Sequence, residues 1–261
     1  MSFRFMRFHL FQFVVVLFLF SPILFGAEKT EIITLAAGTE FATDLHVRRS
    51  EVPGPVLMIT GGVHGNETAG IRAAAKAVKY PISRGTLLVL PEANRRAIQT
   101  STRMVQNGGT DLNRDFPQEI GKEIREESKN KILVEEILRV IREYKVEWII
   151  DLHESKNYSQ AKEEPALGNS VIYTPSKSES AEKLAQKIID VNNKKIDIAE
   201  RKWNLRRPPV LGSLARSGAA LFDCHTMIVE TCHKDKLELR VEYHTAVINT
   251  ALTHLDMKVK E

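Results

Sequence analysis

Cysteine is scarce in this chain: Cys224 and Cys232 are the only two. If residues 226–231 form one extended strand, about 3.3 Å per residue separates them by roughly 26 Å, whereas a disulfide needs Cα atoms within about 7 Å. A disulfide scaffold is therefore excluded, and two free thiols are expected. Also lacking are internal repeats, low-complexity segments after the amino-terminal region, and a basic stripe interleaved with aromatics. The formal charge of +4 includes Arg4 and Arg7, so residues 28–261 carry only +2. Despite a nominal pI near 9.0, the chain has no nucleic-acid signature, and no nucleic-acid partner is expected.

Charge is absent from Leu10 to Phe25, which follow Arg4, Arg7 and His9 and precede Gly26-Ala27. That is the layout of a secretory signal peptide. We expect residues 1–27 to be a leader and residues 28–261 one catalytic domain, exported to the periplasm or beyond. Phe25 suits a cut after Ala27 poorly, so an uncleaved membrane anchor facing outward is the alternative. No lipid-attachment cysteine is present. With 43% hydrophobic and 27% charged residues, the chain can bury one substantial core, and its alternating helix and strand signals indicate an α/β fold.

Pro55–Thr60, Gly85–Pro91, Glu147–Asp151 and Thr226–Thr231 are short apolar runs of the kind that form buried strands of a parallel sheet. Two carry metal-ligand types at their carboxyl ends: His64 and Glu67 in Gly61-Gly62-Val63-His64-Gly65-Asn66-Glu67, and His153 in Asp151-Leu152-His153-Glu154. Such ends face one crevice. Two imidazoles and a carboxylate leave a fourth position open on zinc, as catalytic sites require; cobalt and other divalent ions would suit the same donors. The glycines permit a sharp turn into an Ala-rich helix starting near Asn66, with Glu67 in its first turn. This arrangement differs from the two helical histidines of His-Glu-x-x-His.

Glu230 interrupts an apolar strand, where ionised groups are rare unless paired or functional. It is the candidate general base, taking a proton from an activated water and passing it to a leaving amine. Asn113 and Arg114, in Gly109–Pro117, offer an amide beside a guanidinium fork suited to gripping a carboxylate. Arg103 is a candidate for stabilising an oxyanion, with Arg95 and Arg96 as nearby competitors. Asn94 reads as loop architecture or as a residue standing behind the ligands.

The order His-x-x-Glu, Asp-Leu-Asn-Arg-x-Phe-Pro, Asp-Leu-His and a late strand glutamate resembles the zinc carboxypeptidase superfamily, particularly its succinylglutamate desuccinylase and aspartoacylase branch, from about Pro55 to Cys232. The resemblance implies a single-domain, mixed but largely parallel β-sheet flanked by helices (carboxypeptidase-like, also called phosphorylase/hydrolase-like). It implies one zinc ion at His64, Glu67 and His153, a carboxylate clamp at Asn113 and Arg114, a carbonyl-polarising Arg103 and the base Glu230. The family's pocket tyrosine has no counterpart in residues 203–223, and 31 residues follow Glu230, too few for the extra β domain usual in the aspartoacylase branch. These features point to an exported hydrolase of small or cell-wall peptides, with N-acyl amino acid deacylation as the alternative and a non-catalytic zinc-dependent binding protein as a reading of another class.

Elsewhere, charge runs at Glu119–Lys131 and Ala181–Lys195 read as solvated helix faces. Behind the first, Val134, Ile137, Leu138 and Ile141 form an apolar stripe, and Leu237–Leu252 reads as a terminal helix. Lys156–Pro165 reads as a flexible loop and Trp203–Gly218 as a loop rimming the pocket. Cys232 shares strand parity with Glu230 and reads as a small buried hydrophobe; His225 and His233 read as structural or surface histidines.

Overall fold

The computed structural model describes residues 28–106, 108–118, 124, 126–164, 166–176, 178–206 and 208–259. The expected leader, residues 1–27, lies outside them. Among these residues, eight strands form one sheet: β1 (Lys29–Leu35), β2 (Thr43–Arg49), β3 (Val56–Gly61), β4 (Thr86–Leu90), β5 (Trp148–Ser155), β6 (Ser170–Tyr173), β7 (Asn204–Arg206) and β8 (His225–Cys232), in the order β1-β2-β4-β3-β5-β8-β6-β7. The central strands β4, β3, β5 and β8 run parallel. These are the four apolar runs, buried on both faces as a parallel sheet demands. The β1–β2, β2–β4 and β6–β8 pairings are antiparallel, and β7 joins β6 in parallel. The mixed, largely parallel single sheet expected from the sequence is therefore the fold.

Among the described residues, six helices flank the sheet: α1 (Thr68–Ala77), α2 (Arg95–Gln99), α3 (Lys131–Tyr144), α4 (Ser180–Asn193), α5 (Leu214–Phe222) and α6 (Leu237–His254). Because side chains alternate across a strand, the central strands β3, β4 and β5 each feed two cores. Leu57, Ile59, Ile150, Leu152, Met227 and Val229 pack with α1, α4 and α6, while Met58, Leu88 and Ile149 pack with α3 and Leu214 of α5. The stripe Val134, Ile137, Leu138 and Ile141 is buried in the second core. None of the helices in the described residues is long and apolar enough to cross a membrane.

Helix α1 lies directly on the sheet. A Cβ on Gly61 would sit 2.8 Å from the Gly70 carbonyl oxygen, and one on Gly70 would sit 2.7 Å from that of Leu152. Backbone meets backbone at both points, which only glycine allows.

Several expectations need correction. Helix α1 starts at Thr68, so Glu67 is its N-cap and not a first-turn residue. In the run Glu119–Lys131, residues 126–130 form turns and α3 begins only at Lys131; residues 119–123 and 125 lie outside the described part. Trp203–Gly218 is not one loop, since it contains β7 and the start of α5, which Ser213 caps by accepting from the Arg216 N–H. The segment after β5 is tied down by its own hydrogen bonds: Asn157 Nδ2 donates to the Glu163 and Glu164 carbonyls, and the Tyr158 hydroxyl donates to Asp235 at 2.7 Å. Both cysteines are free and buried, as expected.

Candidate active site

Three neighbouring parallel strands deliver the site. Beyond β3 the chain turns through Gly62, whose φ of +70° only glycine adopts readily. It then passes Gly65, where a Cβ would fall 2.1 Å from the Ala97 carbonyl oxygen of α2. Asn94 caps α2 by accepting from the Ala97 N–H, so the turn rests on a braced support. This geometry delivers His64 and Glu67. His153 comes from the end of β5, and Glu230 is its register partner on β8.

The candidate ligands converge. Glu67 spans both imidazoles, with Oε1 2.7 Å from His64 Nδ1 and Oε2 2.8 Å from His153 Nδ1. The two Nδ1 atoms are 3.1 Å apart, and a ligand atom from each residue lies within 4.8 Å of the others. All three side chains are buried. Behind each imidazole stands a second carboxylate: Asp111 Oδ1 is 3.1 Å from His64 Nε2, and Asp151 Oδ2 is 2.9 Å from His153 Nε2. An outer carboxylate holds a proton on Nε2 and turns the Nδ1 lone pair inward, the arrangement that orients metal-ligating histidines. Asp151 in turn accepts a 2.5 Å hydrogen bond from Thr60. The donor set, its burial and its outer shell fit a divalent cation of the zinc type.

Electrostatics agree with that fit. Burial works against ionisation of Glu67, yet the His153 and His64 imidazoles outweigh it and hold the carboxyl well below its usual range. Burial likewise opposes charge on His153, but Asp151 and Glu67 raise it well above an ordinary histidine. The centre is thus built to favour positive charge. Glu230 behaves oppositely: burial and the Glu67 carboxylate raise it to about 7, against the opposing pull of the imidazoles and Arg103. It is 7% exposed, and its carboxylate accepts no hydrogen bond among the described residues. A buried, unpaired carboxylate titrating near neutrality has the properties of a general base.

Arg103 stands at the mouth, its Nη1 3.6 Å from Glu67 Oε1 and its Nη2 3.0 Å from Asp111 Oδ2. Its competitors are engaged elsewhere, Arg95 with Glu92 and Arg96 with Glu40. Asn113 and Arg114 occupy a 3-10 turn, Leu112–Arg114, capped by Asp111 through the Asn113 N–H. Asp111 therefore ties this turn to His64. Asn113 Oδ1 is buried without a partner, and Arg114 donates only to the Asn113 carbonyl, with no carboxylate partner among the described residues. Gly212, ahead of α5, packs against the Arg114 backbone and accepts from the Phe116 N–H. That segment borders the turn.

Asp111 and Asp151 had no role assigned from the sequence. The signal for Asp151 was present, since residues two apart on a strand share a face and Asp-Leu-His puts it beside His153. Nothing local marked Asp111, whose partners arrive from two other segments. His225 stacks at 4.5 Å on Trp148, and His233 lies beside Arg240, so both are structural. Cys232 is fully buried, with its thiol pushed up by burial to about 11.

Residues 53–166 match the family described as "Succinylglutamate desuccinylase/Aspartoacylase catalytic domain". The family match over this segment and the fold both support the resemblance to this branch of the zinc carboxypeptidase-like superfamily. The matched segment contains His64, Glu67, Arg103, Asn113, Arg114 and His153, while Glu230 lies beyond it. Similar solved structures include the apo cell shape determinant protein Csd4 from Helicobacter pylori (18% identity, TM-score 0.67, covering 89% of this chain and 57% of that one). Others are a succinylglutamate desuccinylase/aspartoacylase from Rhodobacter sphaeroides (18%, 0.65, 92% and 69%) and an aspartoacylase family protein from Mesorhizobium loti (19%, 0.65, 90% and 69%). At these identities the likeness is one of fold, and the chain spans 57% of the length of Csd4. No curated protein sequence matches the chain.

Proposed function

We propose that the protein is a zinc-dependent hydrolase that cleaves an amide bond near a free carboxylate, acting outside the cytoplasm on small or cell-wall peptides. The observation that carries this reading is the inward-facing His64, Glu67 and His153 set with Glu230 opposite His153 on the adjoining strand. One zinc ion held by the three residues would polarise the scissile carbonyl and acidify a water molecule. Glu230 takes a proton from the attacking water as its oxygen bonds to the scissile carbonyl carbon, and passes that proton to the amine as the carbon–nitrogen bond breaks. Arg103 supports the negative oxygen that develops on the carbonyl. Asn113 and Arg114 grip the substrate carboxylate, Arg114 through two parallel hydrogen bonds, which orients the scissile bond toward Glu230.

The peptide reading is supported by a structural neighbour described as a D,L-carboxypeptidase, Csd4, which has also been solved bound to a tripeptide. The family description supports a second reading, deacylation of N-acyl amino acids. The test is metal content of the purified protein beside a His64→Ala/His153→Ala variant, with both assayed on a mixed panel of peptides and acyl amino acids. The expected result is near one zinc per chain in the parent, none in the variant, and release of one product class. Zinc and carboxylate binding without turnover would make this a binding protein, and failure to bind zinc would overturn the proposal.

A further inference from the structure

An N-cap side chain ordinarily accepts a hydrogen bond from one of the first free N–H groups of its helix. Glu67 is the N-cap of α1 but makes no such bond, because both its oxygens are turned to His64 and His153. The N–H of Ala69, in the first turn, donates instead to Oε2 of Glu154, at 3.1 Å. Glu154 follows His153 on β5, so its side chain leaves by the opposite face of the sheet, toward α1 and α6. There its Oε1 accepts from Arg240 Nη1 of α6 and lies 3.5 Å from the Thr231 hydroxyl, while His233 Nε2 is 3.9 Å from Oε2. Arg240 is buried and braced by its own Nε on the Asp235 carbonyl. A buried carboxylate of this kind needs both partners, since removing either leaves an uncompensated charge.

We infer that Glu154, held by Arg240, is the substitute N-cap of α1 and thereby a positioning residue for Glu67, freeing that carboxylate for the metal. The inference rests on the proposed role of Glu67 as a ligand. Without Glu154, the Ala69 N–H is left to the Glu67 carboxylate, which sits at the N-cap, and capping would then compete with metal binding.

The test measures zinc affinity by competition with a chromophoric chelator, with folding followed by thermal unfolding. Glu154→Ala/Arg240→Leu removes the cap without leaving a buried charge, and Glu154→Gln keeps an oxygen for the Ala69 N–H. Arg139→Ala, which breaks a remote ion pair on α3, is the control for a general loss of stability. The expected result is about 10- to 100-fold weaker zinc binding in the double variant, the size usual for outer-shell changes. Glu154→Gln and Arg139→Ala are expected to bind zinc as the parent does. A folded double variant with parental zinc affinity overturns the inference, as does a folded Glu154→Gln as weak as the double variant. A parent that binds no zinc fails differently, by removing the proposed function itself.

Discussion

Glu230→Gln isolates the most unusual electrostatic feature of the site. Burial first, and then the Glu67 carboxylate, raise this group from 4.5 to about 7. Each tenfold change in proton affinity is worth about 1.4 kcal/mol, so the rise corresponds to about 3 kcal/mol. In the unfolded chain the carboxyl ionises through its ordinary range, while in the fold it keeps its proton until near neutrality. Between those limits the unfolded state binds fewer protons, so stability falls as pH rises. It is fully present below 4.5 and is lost by the time pH passes about 7. Glutamine has no such titration. In urea melts followed by fluorescence of the buried Trp148 and Trp203, with chelator present, the parent should lose about 3 kcal/mol relative to the variant from about pH 4 to about pH 8. Saturating zinc should shrink that loss, because a nearby cation favours the carboxylate. A parent-to-variant difference that stays flat across the range refutes the burial argument. In the loaded enzyme the same change should lower kcat by about 10²–10⁴.

Asp111→Asn should weaken zinc binding about 10- to 100-fold in a chelator competition, since His64 loses its outer carboxylate. Gly65→Ala forces a methyl against the Ala97 carbonyl and should cost about 1–3 kcal/mol or more by thermal unfolding. Burial pushes the Cys224 and Cys232 thiols up to about 12 and about 11, so a thiol reagent at about pH 8 should modify neither in the native protein and both after unfolding. Arg114→Lys should raise KM more than it lowers kcat, because a lysine cannot make the paired contact.

How much of this was legible follows from where each signal resides. The strands β3, β4, β5 and β8 are uninterrupted apolar runs, and Glu230 stood out by breaking one of them. In contrast, β1 is mostly exposed, β6 and β7 have four and three residues, and α5 hides in a Gly- and Pro-containing stretch. Their form depends on the sheet edge they join. Residue types that can hold a metal carry their chemistry in the side chain, so His64, Glu67 and His153 could be grouped in advance as candidates, and the fold brings them together. The carboxylates of Asp111, Asp151 and Glu154 take their meaning from partners up to 91 positions away, which spacing along a chain does not reveal.

The contact of Gly61 with Gly70, and of Gly70 with Leu152, has a bearing on how such a protein can change over generations. The separation of Glu67 from His153 is braced there chiefly by peptide atoms meeting peptide atoms. Vulnerability is thereby concentrated in two positions, where one added methyl would lift α1 from the sheet and move Glu67 away from His153.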